Sequence, residues 1–316
     1  MIRCEICGEE KNLNYFKARE LMIGFRDEFK YFECKNCGCI QILEIPQNFQ
    51  KYYDTDYYSF EIPKNNSIRN YLKKKRALFY LDNKSIVGYL LSKIFNSPQL
   101  INWVKVSGIS FNSSILDIGS GSGKLLMDFY NIGFNNLLGI DPFIKNEIIY
   151  NENLLIKKKS VFEVDGKFDF IMMHHSLEHM QNHFEIMKKI KSLMHVNSIL
   201  LIRIPIASEA WQKYGENWVS LDAPRHFVVH SQKSFEMLSK ESGFNIFYFN
   251  YDSIGYQFWA SEQYKLNIPY KSRNSYRMNP NKSIFNKNQI AEFEKMAQNL
   301  NEINRGDQAC FYLKMI

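Results

Sequence analysis

The stretch that most constrains the fold of this chain runs from Ile115 to Leu126 and reads Ile-Leu-Asp-Ile-Gly-Ser-Gly-Ser-Gly-Lys-Leu-Leu. Its apolar start predicts the end of a short buried strand, and the residues after Gly123 predict the first turn of a helix. Three glycines at alternate positions let backbone N–H groups approach a ligand closely, because no Cβ stands in the way. A strand, a glycine turn and a helix in this order indicate a doubly wound α/β sheet with its ligand at the strand ends.

The glycine spacing argues against a dinucleotide. That fingerprint needs glycine at its first, third and sixth positions, but the sixth position here is Lys124 and an acid, Asp117, precedes the first glycine by two residues. The pattern acid-x-Gly-x-Gly-x-Gly resembles the first motif of class I S-adenosylmethionine-dependent methyltransferases. The resemblance implies an α/β fold with a doubly wound, seven-stranded Rossmann-like sheet. It also implies S-adenosylmethionine as cofactor, bound by Asp117, Gly119, Ser120, Gly121 and Gly123.

Two further strand ends extend the predicted cofactor site. Asp141, followed by Pro142, ends a second apolar run 22 residues after Gly119, close to the offset of about 20 residues expected for a ribose-binding acid. A carboxylate suits this role because its two oxygens can accept hydrogen bonds from both ribose hydroxyls. The resemblance places the adenine beside the turn after the third strand, which predicts contacts from Ser160, Val161 and Phe162.

The stretch Lys167–Met173 resembles the fourth strand of the family and runs into a segment rich in titratable groups. Ligands collect beyond strand ends in such sheets, so we expect His174 to contact the cofactor. His175 or His179 is a candidate base for an acceptor hydroxyl, since the pKa of histidine lies near neutrality. Two alternatives stay open: Glu178 and His179 anchor a helix start, or the pattern His-x-x-Glu-His forms a hydrolytic metal site, as in inverted zincins.

A second motif, Leu221-Asp-Ala-Pro-Arg-His-Phe227, is similar to a stretch in methyltransferases of bacterial glycan modification. Arg225 is predicted to bind a phosphate or carboxylate of the substrate, and His226 is a third candidate base. The alternative is a capped loop before the next helix. An insertion at about 252–305 carries aromatic residues that suit a substrate lid.

The N-terminal segment carries two Cys-x-x-Cys-Gly turns. Four thiolates in this arrangement can surround one ion tetrahedrally, as structural zinc prefers, whereas a redox pair needs one such motif beside a βαβ unit. We therefore predict a zinc ribbon with a folding role, its ligands being Cys4, Cys7, Cys34 and Cys37. Cys39 and Cys310 are interpreted as small buried residues. Tyr57 and Tyr58 either cement the ribbon to the next domain or contact substrate.

Charge is unevenly distributed along the chain. Residues 61–110 hold 9 Lys/Arg against 2 Asp/Glu, whereas residues 1–60 hold 8 against 10. An acidic ribbon argues against nucleic acid as a partner. The run Lys73–Arg76 is either a solvated face or an attractant for a phosphorylated substrate. We predict the ribbon and Tyr-rich segment over 1–60, a basic helical connector over 61–107, and the catalytic domain over 108–316.

Composition agrees with a globular enzyme: 45% of the 316 residues are hydrophobic and 23% are charged. Neither a membrane span nor the apolar core of a signal peptide is evident, so we expect a cytoplasmic protein. The favoured function is O-methylation of a small polar acceptor, such as a nucleotide-linked sugar or surface-glycan precursor. The alternatives are an rRNA or tRNA methyltransferase that uses the ribbon to bind RNA, and a non-catalytic binding protein on the same fold.

Overall fold

The structure, a computed structural model, describes residues 2–53, 67–82 and 85–316. In these ranges the strands are β1 (Leu13–Arg19), β2 (Glu28–Cys34), β3 (Ile40–Ile42), β4 (Ile115–Ile118), β5 (Leu137–Ile140), β6 (Ile148–Asn151), β7 (Leu154–Lys157), β8 (Phe168–His174), β9 (Met194–Pro205), β10 (Val228–Val229), β11 (Phe244–Tyr251) and β12 (Gln308–Met315). The α-helices are α1 (Ser67–Asp82), α2 (Ile86–Ser92), α3 (Gln99–Ser107), α4 (Lys124–Ile132), α5 (His183–Ser192), α6 (Glu209–Tyr214), α7 (Gln232–Glu241), α8 (Tyr256–Lys265) and α9 (Lys287–Glu302).

The described residues form two compact units. The first contains residues 2–53, His175–Phe184 and Arg203–Phe311, and the second contains residues 67–82 and 85–174, Glu185–Ile202 and Tyr312–Ile316. The cysteine ribbon therefore shares a unit with later parts of the chain. The predicted boundaries after residues 60 and 107 divide the chain differently, and they remain a prediction about domains.

The second unit is built on a mainly parallel sheet. The strand order of this sheet is β11, β12, β9, β8, β4, β5, β7, β6. β4 pairs in parallel with β5 and β8, and β5 pairs in parallel with β7. All four residues of β4 are buried, as in a strand whose two faces are both covered. The carboxyl ends of these parallel strands therefore place the predicted cofactor residues at one edge of the sheet.

The sheet has eight strands in the described part of the chain, one more than predicted. The additional strand is β6, which pairs antiparallel with β7 at the sheet edge. The turn between them is stabilised by the Asn151 side chain, which accepts a hydrogen bond of 2.8 Å from the backbone N–H of Asn153. Asn favours such turns because its side chain can bond to the backbone two residues on, a signal that the sequence reading did not use.

The connector packs within the second unit through its charged side chains. Lys73 of α1 forms an ion pair with Asp128 of α4 at 2.9 Å, and the Arg76 guanidinium lies over the Phe95 ring at 5.4 Å. Lys73 and Arg76 therefore have partners within the protein, and attraction of a phosphorylated substrate by the basic run stays a prediction. None of the described helices has the length and apolar character needed to cross a bilayer.

The first unit contains a four-stranded sheet in the order β1, β2, β3, β10. β1 and β2 form the hairpin of the predicted ribbon. β10 comes from the segment after the second motif and pairs antiparallel with β3, Val228 opposite Gln41 and Val229 opposite Ile40. The ribbon sheet thus incorporates a strand that lies almost 190 residues further along the chain, and local sequence patterns do not reveal such a pairing.

The insertion belongs to the core of the first unit. Its helices in the described part of the chain are α8 and α9. Phe258 and Trp259 of α8 are buried, and the Trp259 ring stacks on Tyr270 with centroids 5.9 Å apart. Phe258 belongs to the same apolar cluster as Tyr31 of β2. The expectation of a substrate lid is therefore wrong for these rings, because they are core side chains. β12 lies between β9 and β11.

Candidate functional site

The glycine loop of the second unit has the backbone that its sequence predicts. The φ angles of Gly119, Gly121 and Gly123 are 79°, 54° and 79°, in the left-handed region that other residues rarely adopt. The N–H of Gly119 donates to the carbonyl of Ile140 at 2.8 Å, which ties the loop to the end of β5. A Cβ at Gly123 would lie 2.3 Å from Cδ1 of Ile156. Both conformation and space therefore require glycine at this position.

Asp141 holds the glycine loop from the next strand end. One carboxylate oxygen accepts a hydrogen bond of 3.0 Å from the N–H of Gly121, and the other accepts one of 2.8 Å from the N–H of Phe143. Burial raises the pKa of Asp141, while these two hydrogen bonds oppose the rise. Asp141 thus orders the loop itself. Each oxygen keeps a second lone pair, so ribose binding by Asp141 stays a prediction.

Asp117 is the buried acid of this site. It is 2% exposed, and its Oδ1 has no hydrogen-bond partner among the described residues. Burial, together with the charge of Asp141, raises the pKa of Asp117 to about 7. A buried carboxylate with an unused oxygen is costly unless a ligand supplies a donor or a positive charge. S-adenosylmethionine carries both, so the residues of this site fit that cofactor.

The remaining predicted cofactor residues have different surroundings. Ser160 donates from its N–H and its hydroxyl to the carboxylate of Glu163, at 2.7 and 2.8 Å. Val161 is buried, whereas Phe162 is 56% exposed, so its ring face is open to a planar base. The His174 ring packs on Trp103 with centroids 4.3 Å apart. Pro142 is exposed. Their roles remain predictions.

The four predicted zinc ligands come together in the first unit. Their sulfur atoms all lie within 4.8 Å of one another, the residues being Cys4, Cys7, Cys34 and Cys37. The sulfurs of Cys4 and Cys37 are 3.6 Å apart, and those of Cys7 and Cys34 are 3.5 Å apart. A tetrahedral zinc ion bonded to each sulfur at about 2.3 Å needs sulfurs about 3.8 Å apart. The donor set therefore fits structural zinc.

A fifth thiol, Cys39, lies beside this cluster. Its sulfur is 3.3 Å from the sulfurs of both Cys4 and Cys37, and it accepts a hydrogen bond of 3.3 Å from the Gln41 amide. The interpretation of Cys39 as an unrelated small residue is therefore wrong. Its position two residues after Cys37 was the available signal.

The histidine-rich segment after β8 forms a hydrogen-bonded network in the first unit. The imidazole of His175 lies 3.2 Å from Glu178 through Nδ1 and 2.7 Å from a guanidinium nitrogen of Arg203 through Nε2. Arg203 in turn donates to Asp252 at 2.7 Å. Because guanidinium can only donate, the Nε2 atom of His175 must accept. Both ring nitrogens thus have partners within the protein, which argues against His175 as the base, and its role stays a prediction.

His175 also has an unusual backbone. Its φ angle is 50°, in a region that non-glycine residues visit mainly where surrounding contacts hold them. Its N–H donates to the Arg203 carbonyl at 2.9 Å. Arg203 therefore holds both the backbone and the side chain of His175. The sequence analysis did not predict this role for Arg203.

His179 and His226 have their tautomers set by backbone carbonyls. Nδ1 of His179 lies 2.9 Å from the Arg225 carbonyl oxygen, and Nδ1 of His226 lies 2.8 Å from the Ser220 carbonyl oxygen. A carbonyl only accepts, so each Nδ1 carries hydrogen and each neutral ring keeps its lone pair on Nε2. Burial, followed by the charge of His226, lowers the pKa of His179 to about 4. His179 is therefore neutral at pH 7.

Arg225 has partners inside the protein. It is 1% exposed, and its guanidinium pairs with both carboxylate oxygens of Asp222. It also donates to the Tyr52 carbonyl at 2.7 Å and lies 3.8 Å from Glu20. This arrangement corrects the predicted substrate clamp: the donors of Arg225 are used in holding the Asp222 loop. Glu20 is itself bonded by three successive N–H groups, those of Ile23, Gly24 and Phe25.

The tyrosines predicted to bind substrate, Tyr57 and Tyr58, lie outside the described residues. Their neighbours Tyr52 and Tyr53 are described. Tyr52 is buried and donates to Asp27 at 2.7 Å, while the Tyr53 hydroxyl lies 3.2 Å from Nδ1 of His179. Tyr52 therefore packs against the ribbon, and Tyr53 contacts His179.

Comparison with known proteins decides the family. A family profile described as a methyltransferase domain matches residues 71–248, which is 178 of the 316 residues. The chain belongs to this methyltransferase family. The matched range contains the glycine loop, Asp141 and all three candidate bases. The predicted class I methyltransferase fold is confirmed.

Individual relatives match only in part. The EEF1A lysine methyltransferase 2 of Danio rerio is 38% identical over 60 residues, 19% of this chain and 25% of the relative. The Homo sapiens protein of the same name is 32% identical over 68 residues, 22% of this chain and 25% of the relative. The chain thus spans about a quarter of the length of these curated relatives.

Among solved structures, the chain is similar to magnesium protoporphyrin IX methyltransferase from Synechocystis PCC 6803. The two are 10% identical, with a TM-score of 0.44 over 84% of this chain and 98% of that chain.

Proposed function

We propose that this protein is an S-adenosylmethionine-dependent methyltransferase that acts on a small polar acceptor. We propose S-adenosylmethionine as the donor because of Asp117. This buried acid has an oxygen without a hydrogen-bond partner among the described residues. It lies two residues before the first of three glycines in left-handed conformation. Membership of the methyltransferase family supports the same donor. The acceptor we favour is a nucleotide-linked sugar or a related glycan precursor.

The second unit has the residues for the donor. When bound, S-adenosylmethionine supplies a methyl group that its sulfonium already activates for in-line displacement. The glycine loop presents backbone N–H groups, and ionised Asp117 offsets positive charge on the cofactor. These residues bind and orient the donor, and orientation contributes most of the acceleration in such a displacement.

A proton must also leave the acceptor. As the acceptor oxygen forms its bond to the methyl carbon and the carbon–sulfur bond breaks, the hydroxyl proton must pass to a base. We favour His226 as this base because the Ser220 carbonyl holds its Nδ1 and leaves the lone pair on Nε2. Asp222 and Glu178 lie 3.7 and 4.0 Å from that nitrogen. The pKa of His179 is lowered to about 4, which disfavours His179 in this role.

Two classes of acceptor are candidates. A sugar acceptor is supported by the similarity of Leu221–Phe227 to a stretch in glycan-modifying methyltransferases, whereas the internal pairing of Arg225 removes the predicted phosphate clamp. A protein lysine is the second candidate, since the matching relatives are lysine methyltransferases by name. A lysine acceptor must also lose a proton, so the same histidine serves either reaction.

Donor binding is tested by calorimetry with S-adenosylmethionine. We expect micromolar binding to the wild type, and a loss of at least about 100-fold, or about 2.7 kcal/mol, in Asp117→Ala and Asp141→Ala. Asp165→Asn is the matched control, because Asp165 lies in the same unit with a fully exposed side chain. Unchanged affinity in both alanine variants would contradict the proposal.

The acceptor is tested by incubating the enzyme with labelled methyl donor and a bacterial lysate. The lysate is separated beforehand into small molecules, protein and RNA. Label in the small-molecule fraction supports the sugar proposal, label on protein lysine supports the second candidate, and label in RNA supports the RNA methyltransferase. Absence of transfer to all three, with donor binding intact, would favour a non-catalytic protein.

A further inference from the structure

We infer that Glu178, His179 and His226 form a binding site for a divalent transition-metal ion, distinct from the cysteine cluster. One ligand atom from each of these residues lies within 4.8 Å of the other two. Two imidazoles and one carboxylate are the donor set of catalytic zinc sites and of open iron sites. Neither the family assignment nor the relatives attribute a metal to these residues.

The imidazole rings of His179 and His226 are held in the tautomer that keeps a lone pair on Nε2. Metal-bound histidines characteristically donate their other ring N–H to a carbonyl or carboxylate, which orients the ring and raises its basicity. The hydrogen bonds from Nδ1 to the carbonyls of Arg225 and Ser220 provide this support for His179 and His226. Two Nε2 lone pairs thus remain for a ligand in the same cluster.

Glu178 offers a buried carboxylate as the third ligand. Its side chain is 1% exposed, and its Oε2 has no hydrogen-bond partner in the part of the chain that the structure describes. A buried carboxylate with an unused oxygen is costly unless a hydrogen-bond donor or a cation pairs with it.

The ligand carboxylate is supported from behind. His175 bonds to Oε1 of Glu178, Arg203 holds His175, and Asp252 holds Arg203. Asp252 also accepts a hydrogen bond from Gln308. Such supporting layers fix the direction of a metal-binding carboxylate. They also explain why His175, the first residue of the inverted-zincin pattern, lies behind the site while His226 supplies the third ligand.

The distances indicate how the site closes around an ion. Nε2 of His226 lies 4.0 Å from Oε1 of Glu178. Ligands bound at about 2.1 Å stand about 3.0–3.4 Å apart in octahedral or tetrahedral geometry. This pair must therefore approach by about 0.6–1.0 Å, and the other pairs, which lie within 4.8 Å of one another, by at most about 1.8 Å. Mixed nitrogen and oxygen ligands suit Zn²⁺, Mn²⁺, Fe²⁺ or Co²⁺, whereas the thiolates of the ribbon select zinc and disfavour Mn²⁺.

Metal binding changes the proposed chemistry of this cluster. The base role proposed for His226 applies to the metal-free cluster, because Nε2 cannot bind an ion and accept a proton at once. A bound ion held by three protein ligands would keep open positions, and it would supply a Lewis acid that lowers the pKa of an acceptor hydroxyl. This consequence rests on the proposed methyltransferase activity, but the metal site itself does not.

Manganese titration tests the site. Protein carrying zinc in the ribbon is titrated with Mn²⁺ and followed by electron paramagnetic resonance, without methyl donor. We expect one bound Mn²⁺ per wild-type chain, and binding at least about 100-fold weaker in Glu178→Gln and His226→Gln, since even supporting residues typically cost 10–100-fold. His195→Gln is the matched control: His195 also pairs with a carboxylate, that of Asp169 at 3.0 Å, in the other unit.

Two measurements keep this test decisive. Zinc content and melting temperature are recorded for each variant, so that a variant which fails to fold is replaced by His179→Gln at the same site. Wild-type protein that binds no Mn²⁺, Co²⁺ or second Zn²⁺, or folded variants that bind Mn²⁺ as the wild type does, would overturn the inference. Because no methyl donor is present, this failure is separable from failure of the proposed activity.

Discussion

The glycine loop of the second unit and the histidine cluster of the first are both rich in residues predicted to be functional, yet they are built in opposite ways. The loop depends on backbone conformation: three left-handed glycines are held by Asp141 within 23 residues of chain. The cluster depends on side chains from distant segments, as Arg203 and Asp252 support His175. A function carried by backbone is therefore readable from a short motif, whereas one carried by side-chain networks is not.

Arg225→Met offers the largest expected effect. We expect a loss of about 3–5 kcal/mol in unfolding free energy, because the change leaves Asp222 and Glu20 as buried carboxylates without their cation. Chemical denaturation measures it, and Lys213→Met, at an exposed cation, is the control. A stable variant whose only defect is a raised KM would restore the substrate-clamp interpretation.

Gly123→Val is expected to break the loop and leave the cluster intact. Its Cβ would meet Ile156, and its φ of 79° is unfavourable for valine. Donor affinity should fall by at least about 100-fold, or about 2.7 kcal/mol, while Mn²⁺ binding at the cluster stays unchanged. Loss of both donor binding and Mn²⁺ binding would show that the two sites are not independent. Gly166→Ala, at a loop position with open space around it, serves as control.

The pH dependence of donor binding separates the two regions further. The pKa of Asp117 is raised from 3.8 to about 7 in the folded protein without ligand. A cationic donor prefers the ionised acid, so its affinity should fall by up to about tenfold for each pH unit below 7. Calorimetry from pH 5.5 to 8 measures this, and Asp117→Asn should give a flat profile.

The same group makes a stability prediction of opposite sign. Between about pH 4 and 7 the folded protein keeps the proton on Asp117 while the unfolded chain releases it. The contribution of Asp117 therefore falls as pH rises through this window, by up to about 1.4 kcal/mol per unit. Denaturation of wild type and Asp117→Asn without ligand tests it, and parallel curves would contradict the raised pKa.

The smallest expected effect concerns the ribbon turns. Gly8 has a φ of 72° and open space around its Cβ position, whereas a Cβ at Gly38 would lie 3.1 Å from Ser231. Gly8→Ala should cost about 1 kcal/mol from backbone conformation alone, and Gly38→Ala should cost more. Equal losses would show that the contact with Ser231 yields without strain.

Sequence reasoning recovered what is local. The cysteine spacing, the glycine loop and Asp141 each lie within a short window, and the structure brings each group together. Cys39 was misread because it falls outside the Cys-x-x-Cys pattern, although its sulfur lies 3.3 Å from that of Cys37, two residues before it. Arg225 was misread because the type of residue suggests a ligand, while its partners Tyr52 and Glu20 come from the other end of the chain.

The pairing of β3 with β10 connects the cysteine cluster to His226. β3 starts three residues after Cys37, and β10 starts two residues after His226. The Tyr31 hydroxyl of β2 also donates to the His226 carbonyl at 3.0 Å. Removal of zinc from the predicted cysteine site is therefore expected to loosen the support of His226 while the glycine loop keeps its conformation. Zinc-free protein should then keep the proposed binding of methyl donor and lose the proposed Mn²⁺ binding at the histidine cluster.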